Sequence, residues 1–81
     1  GMLIDELREK LKSVEPDIKT IKTFWENSKL EDEFQRLHTM SVQEDFWQNP
    51  QQTDILKQLT KVKTQRESYL QVTHSFTELS E

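Results

Sequence analysis

The sequence predicts an all-α fold: a three-helix antiparallel bundle of coiled-coil character with one long C-terminal helix. Apolar residues recur at alternating spacings of three and four near both ends of the chain, which is typical of heptad helices. The single glycine is residue 1, so tight hairpin turns between strands lack their usual residue. Apolar and charged residues each make up 32% of the chain, which suits amphipathic helices around a thin core.

The first helix is predicted over residues 3–26. Its apolar seam comprises Ile4, Leu7, Leu11, Val14, Ile18, Ile21 and Trp25. Pro16 interrupts this segment, and a proline inside a helix removes a hydrogen bond and costs about 3 kcal/mol. Because the seam keeps its phase across Pro16, we expect one helix that is kinked near this residue. The alternative is a break at Glu15, with Pro16 as the first residue of a new helix.

The second helix is predicted over residues 29–41, with its apolar face formed by Leu30, Phe34, Leu37 and Met40 or Ser41. Ser28 and Glu31 have the spacing of a capping box. In that motif the Ser28 hydroxyl would bond the amide of residue 31, and the Glu31 side chain would reach back. Acidic residues in the first turn also favour the positive end of the helix dipole.

Residues 41–49 form a connector that includes Val42, Phe46 and Trp47. Large aromatic side chains bury roughly 150–250 Å² each, so we expect both rings to be buried and to fix the corner between two helices. Asn49 is predicted to be the N-cap of the third helix, with Pro50 at its first position, where a missing amide does no harm. Phe46, Trp47, Asn49 and Pro50 are therefore predicted to be structural residues.

The third helix is predicted over residues 50–79, roughly 45 Å at 1.5 Å per residue. Its seam is Ile55, Leu59, Val62, Arg66, Tyr69, Thr73 and Phe76. The aromatic residues are expected to supply much of the core: Phe24, Trp25, Phe34, Phe46, Trp47, Tyr69 and Phe76. A helix of this length outreaches the second one, so its far half must pack against the first helix, against further sequence or against another copy.

No arrangement of residues predicts covalent chemistry, so we expect a protein that is not an enzyme, with no catalytic residue, metal site or cofactor. The chain has no cysteine for a thiolate ligand or nucleophile, and its one glycine cannot form a phosphate-binding loop. The net charge of −4 is unlike that of most nucleic-acid-binding domains. The one basic cluster, formed by Lys57, Lys61, Lys63 and Arg66, is predicted to be a solvated helix face.

The order of motifs is more specific than any single motif. It comprises a heptad helix, then Phe24-Trp25-Glu26-Asn27-Ser28-Lys29-Leu30-Glu31-Asp32-Glu33-Phe34-Gln35-Arg36-Leu37, then Glu44-Asp45-Phe46-Trp47-Gln48-Asn49-Pro50, and last Ile55-Leu56-Lys57-Gln58-Leu59-Thr60-Lys61-Val62-Lys63. This order resembles the N-terminal region of bacterial peptide chain release factor 2, from about residue 3 to residue 80. The family's catalytic Gly-Gly-Gln and codon-reading Ser-Pro-Phe motifs are absent, so none of those roles carries over.

The resemblance implies that residues 1–81 are a single non-catalytic helical domain, a fragment of a longer translation termination factor. In that family the domain lies near the stalk base of the large ribosomal subunit and helps to position the factor. The expected partners are therefore the ribosome and other domains of the parent protein, in the cytoplasm and without a membrane. An uncovered third helix also predicts a homodimer of the isolated domain. The alternative is a free-standing helical adaptor that binds a partner protein through its seam.

Overall fold

The computed structural model describes residues 2–81 and contains three α-helices. They are α1 (Met2–Ser28), α2 (Leu30–Ser41) and α3 (Gln52–Ser80), with a 3₁₀ turn at Phe46–Gln48 between the last two. Within the described residues there is no β-strand. The predicted all-α class and the long C-terminal helix are confirmed. None of these helices is both long enough and apolar enough to cross a lipid bilayer.

α1 continues through Pro16 without a break, so the alternative of two helices that meet at Glu15 is wrong. Pro16 is exposed and lies on the side of α1 away from the apolar seam. There the missing amide leaves the carbonyl of Lys12 free to bond water, because solvent reaches this face. The helix also ends later than predicted, at Ser28.

α1 and α2 are separated by Lys29 alone, which has the left-handed conformation (φ 61°, ψ 18°). This conformation costs a residue with a Cβ roughly 1–2 kcal/mol. The predicted capping box is wrong, since α2 has no side-chain cap. The Ser28 hydroxyl instead donates to the carbonyl of Trp25 (2.8 Å) and accepts from the amide of Leu30 (3.3 Å). Glu31 cannot reach back because its carboxylate pairs with Arg66 on α3.

α1 and α2 pack one after the other along α3, and both run antiparallel to it. The C-terminal end of α1 meets the middle of α3 through Trp25 and Tyr69, whereas Leu11 lies near Phe76. α2 packs against the N-terminal half of α3, from the Glu31–Arg66 pair to the buried cluster around Ile55. The molecule is consequently elongated, with principal extents of 61 × 21 × 16 Å.

The predicted seam of α3 is confirmed by burial. Its seven residues are all buried or half-buried, and Gln52 extends the same pattern by one position toward the N-terminus. Every other α3 residue is exposed. Arg66 and Thr73 are the polar members of the predicted seam. Arg66 is satisfied by an ion pair, and the Thr73 hydroxyl donates to the carbonyl of Tyr69 (2.9 Å).

The densest part of the core lies at the corner between α2 and α3. Leu37, Phe46, Ile55 and Val62 form one buried cluster, with Phe34, Met40 and Leu59 packed around it. Among residues 3–28 of α1, Ile18 and Trp25 are the only buried apolar residues. The two ends of the molecule therefore differ in packing, and the N-terminal half of α1 has the least cover.

Candidate functional site

The two aromatic side chains of the corner have opposite environments. Phe46 is 2% exposed and belongs to the core cluster, but Trp47 is 72% exposed. The prediction that both rings are buried is therefore wrong for Trp47. Successive residues of a 3₁₀ turn point about 120° apart, so only one of two neighbours can point into the core. The indole packs edge-on against the Phe46 ring instead, with the ring centroids 5.4 Å apart.

Asn49 and Pro50 connect this turn to α3. The Asn49 side-chain oxygen accepts a hydrogen bond from the amide of Gln51 (2.8 Å), as an N-cap residue does. Regular helix begins only at Gln52, two residues after the predicted start. The difference arises because the amide of Gln52 bonds to the carbonyl of Asn49, three residues back, which makes a tighter first turn. Asn49 therefore makes the predicted type of hydrogen bond in the turn before α3, but the N-cap of α3 is Gln51, which has no side-chain cap, so the predicted N-cap position is wrong.

A polar link connects the start of α2 to the middle of α3. Arg66 Nε donates to a carboxylate oxygen of Glu31 (2.8 Å), and the guanidinium also lies 4.7 Å from the centre of the Phe34 ring. The hydrogen bond from Arg66 lowers the pKa of Glu31, while partial desolvation opposes this shift. The same hydrogen bond raises the pKa of Arg66. Arg66 therefore belongs to the helix seam, whereas Lys57, Lys61 and Lys63 are exposed.

An aromatic stack lies next to this link and joins α1 to α3. The rings of Trp25 and Tyr69 are 4.8 Å apart and nearly parallel, at 8°. Trp25 is buried and Tyr69 is half-buried. One edge of the stack lines an open groove, so it forms the floor of a surface feature as well as part of the core.

The groove has a volume of about 380 Å³ and lies between α1 and α3 at the α1–α2 junction. Its lining residues are Ile21, Phe24, Trp25, Leu30, Thr64, Gln65, Ser68, Tyr69 and Val72. None of them is charged, although charged residues make up 32% of the chain. An apolar concave surface without charges favours the binding of another apolar surface.

Phe24 stands at the edge of this groove and is 65% exposed. The expectation that it supplies core is therefore wrong. It precedes Trp25 by one residue, which turns its side chain about 100° away from the seam. Three residues of the predicted α1 seam, Leu7, Val14 and Ile21, are also exposed. Helix α1 thus touches α3 through the row that includes Leu11, Ile18 and Trp25, and its neighbouring row is left uncovered.

Within residues 2–81, no three side chains of histidine, aspartate or glutamate converge to form a metal site. His74 bonds the Glu78 carboxylate on the exposed face of α3 (2.9 Å). The arrangement favours recognition of another surface, through the apolar groove and the exposed indole of Trp47.

Sequence reasoning missed both of these surfaces because it treated each aromatic residue as core. Two signals were available: the adjacency of Phe24 to Trp25, and that of Phe46 to Trp47. Neighbouring residues on a helix or 3₁₀ turn cannot share one face. Comparisons of the chain with protein-family models, curated proteins and solved structures give no match.

Proposed function

We propose that this chain is the non-catalytic N-terminal helical domain of a peptide chain release factor, and that it helps to position the factor on the ribosome in the cytoplasm. The observation that carries the proposal is the order of its motifs, above all Asp45-Phe46-Trp47 followed by Asn49-Pro50. These residues connect a short helix to a long one, in the order that the resemblance implies.

The exposed indole of Trp47 supports a contact role for the corner. Tryptophan is enriched among the residues that dominate binding energy in protein interfaces. Val42, which directly follows α2, is also exposed, in the connector that contains Trp47. Because the chain has a net charge of −4, we expect this corner to meet ribosomal protein rather than the phosphates of ribosomal RNA.

Co-sedimentation with purified ribosomal subunits tests the proposal. The chain is expected to pellet with the large subunit in a saturable manner and to stay in solution with the small subunit. Trp47→Ala should reduce the pelleted fraction, whereas Leu70→Ala, which removes an exposed apolar side chain from α3, should not. A chain that remains wholly in solution with a large excess of large subunits would contradict a ribosomal role.

The reading frame provides an independent test. A release factor must continue beyond Glu81 into a Gly-Gly-Gln hydrolysis loop, so the gene is expected to encode that motif downstream. A frame that ends without it would contradict the release-factor assignment, whatever the sedimentation experiment shows.

The second candidate is a free-standing helical adaptor, and the uncharged groove between α1 and α3 favours it. Amphipathic helices bind in such grooves through apolar side chains at helical spacing. This adaptor would bind its partner through the groove, so Phe24→Ala should weaken partner binding and Trp47→Ala should not. It would remain in the supernatant when ribosomal subunits are pelleted.

A further inference from the structure

Seven exposed apolar side chains lie on helical rows of α1 and α3 that meet at the groove lined by Ile21, Phe24 and Val72, and we call this surface the apolar flank. They are Leu3, Leu7, Val14, Ile21 and Phe24 on α1, and Val72 and Leu79 on α3. At about 100 Å² each, these side chains expose roughly 700 Å² of apolar surface. An exposed apolar patch on a monomeric protein is commonly a few hundred Å². The area is close to the ~800 Å² that each partner buries in a protein interface of standard size.

The opposite side of the pair has a different character. A shallow cleft there is lined by Arg8, Lys12 and Glu15 together with Phe76. Charged side chains thus border the α1–α3 seam on that side, whereas the groove on the apolar flank has none. The contrast indicates that one side of α1 faces water and that the other is suited to a further helix.

We propose that the apolar flank binds a second copy of this chain, with the two α1 helices antiparallel and the twofold axis at Val14. A twofold interface requires a surface that is complementary to itself. Leu7 and Ile21 lie seven residues on either side of Val14, and Leu3 and Phe24 lie eleven and ten residues on either side. In an antiparallel pair centred at Val14, each apolar residue of this set therefore faces another apolar residue.

The twofold arrangement also places the charged side chains on this side of α1 next to groups of opposite charge. Lys10 and Asp17 are seven residues apart and belong to the row that also carries Leu3 and Phe24. In the antiparallel pair, Lys10 of one copy lies within about one residue, or ~1.5 Å along the axis, of Asp17 of the other. Two opposite-charge pairs result, one on each side of the axis. Within residues 2–81, neither side chain forms an ion pair in the single chain.

Sedimentation equilibrium over a range of concentrations tests the proposal. The wild-type chain is expected to sediment at twice its monomer mass at high concentration. Val14→Glu would place two carboxylates at the axis, which should raise the dissociation constant at least ~100-fold. The matched control is Leu70→Glu, because Leu70 is 44% exposed against 41% for Val14 but lies away from the flank, beside Lys22 and His74. It should leave the dissociation constant within about threefold of wild type.

Circular dichroism shows that a variant is folded before its mass is interpreted. Val14 and Leu70 are both exposed, so both glutamate variants should retain the helicity of the wild-type monomer. A wild-type chain that stays monomeric up to ~1 mM overturns the proposal, because an interface of this area should assemble well below that concentration. Equal weakening by the two glutamate variants also overturns it.

Charge exchange and cross-linking test whether the two α1 helices are antiparallel. Lys10→Asp and Asp17→Lys should each weaken the dimer, and the two changes together should restore it. The chain has no cysteine, so engineered thiols report on single positions. A mixture of Leu7→Cys and Ile21→Cys chains should form the mixed disulfide in preference to either symmetric one. Preferential symmetric disulfides would indicate parallel helices and would overturn the antiparallel arrangement.

Discussion

At the residue scale, Phe46 and Trp47 are neighbours in sequence that stabilise the fold through different contacts. Phe46 packs in one cluster with Leu37, Ile55 and Val62, so nearly all of its side chain is buried. Trp47 contributes one edge-to-face contact with Phe46 and is otherwise in water. Burial of apolar area, rather than ring size, decides which of the two residues the fold depends on.

Alanine substitutions should distinguish how much each of the two rings contributes to stability. Phe46→Ala is expected to lower the free energy of unfolding by about 3–5 kcal/mol, because it leaves a cavity in the main cluster. Trp47→Ala should lower it by no more than about 1 kcal/mol, the value of one aromatic pair. Urea denaturation followed by far-ultraviolet circular dichroism measures both. Equal losses would show that the indole is buried in solution.

A second residue-scale prediction concerns Glu31 and Arg66. Arg66 lowers the pKa of Glu31 in the folded chain. The pair therefore stabilises the fold above the pKa that Glu31 has in the unfolded chain, and this contribution disappears as the pH falls through the lower, folded-state pKa. Both side chains remain partly exposed, so we expect no more than about 1 kcal/mol at neutral pH.

The variant Glu31→Gln tests whether the Glu31–Arg66 pair loses its stabilising effect as the pH falls. The variant should be less stable than wild type at pH 7, and the difference should shrink toward zero as the pH is lowered through the acid range. Asp32→Asn removes an exposed carboxylate from the same helical turn and is the matched control. A deficit in Glu31→Gln that stays constant down to pH 2 would show that the ion pair is not its cause.

At the element scale, the helices differ in how far the sequence determined them. The heptad spacing of α3 predicted seven of its buried or half-buried positions, because a long helix against a helical partner buries one stripe. A break between the first two helices was predicted after residue 26, but its left-handed geometry at Lys29 was not. No glycine or asparagine marks a left-handed residue there, and the Glu31–Arg66 pair across to α3 replaces the expected cap.

For α1, we predict how a substitution at Pro16 changes stability. Pro16→Ala restores the amide that can bond the Lys12 carbonyl and removes the ring that clashes with it. Because the site is exposed and already helical, the substitution should raise the free energy of unfolding by up to about 3 kcal/mol. Thermal melts measure the gain, and Ser13→Ala, at another exposed α1 position, should change stability by less than about 1 kcal/mol. An unchanged melt of Pro16→Ala would mean that α1 is not helical at Pro16 in solution.

At the scale of the whole molecule, stability should fall along the long axis. The main cluster lies at the corner, where α2, the 3₁₀ turn and α3 meet. At the opposite end, the α1 residues Leu3, Ile4 and Leu7 are exposed, and among residues 3–15 only Leu11 is half-buried. Helices without tertiary cover are marginal in water, so this end should open locally at a much lower free energy than the corner.

Amide hydrogen exchange measures this gradient. At concentrations where the chain is monomeric, amides of residues 5–14 should exchange fastest among the helical amides, and those of residues 55–62 should exchange slowest, near the limit set by global unfolding. If the apolar flank binds a second copy, raising the concentration should slow exchange in α1 while the corner changes little, because the flank lies on α1 and the C-terminal half of α3, away from the corner. Uniform protection along α1 and α3 in the monomer would contradict the gradient. It would mean that the thin α1–α3 contact is as strong as the packed corner.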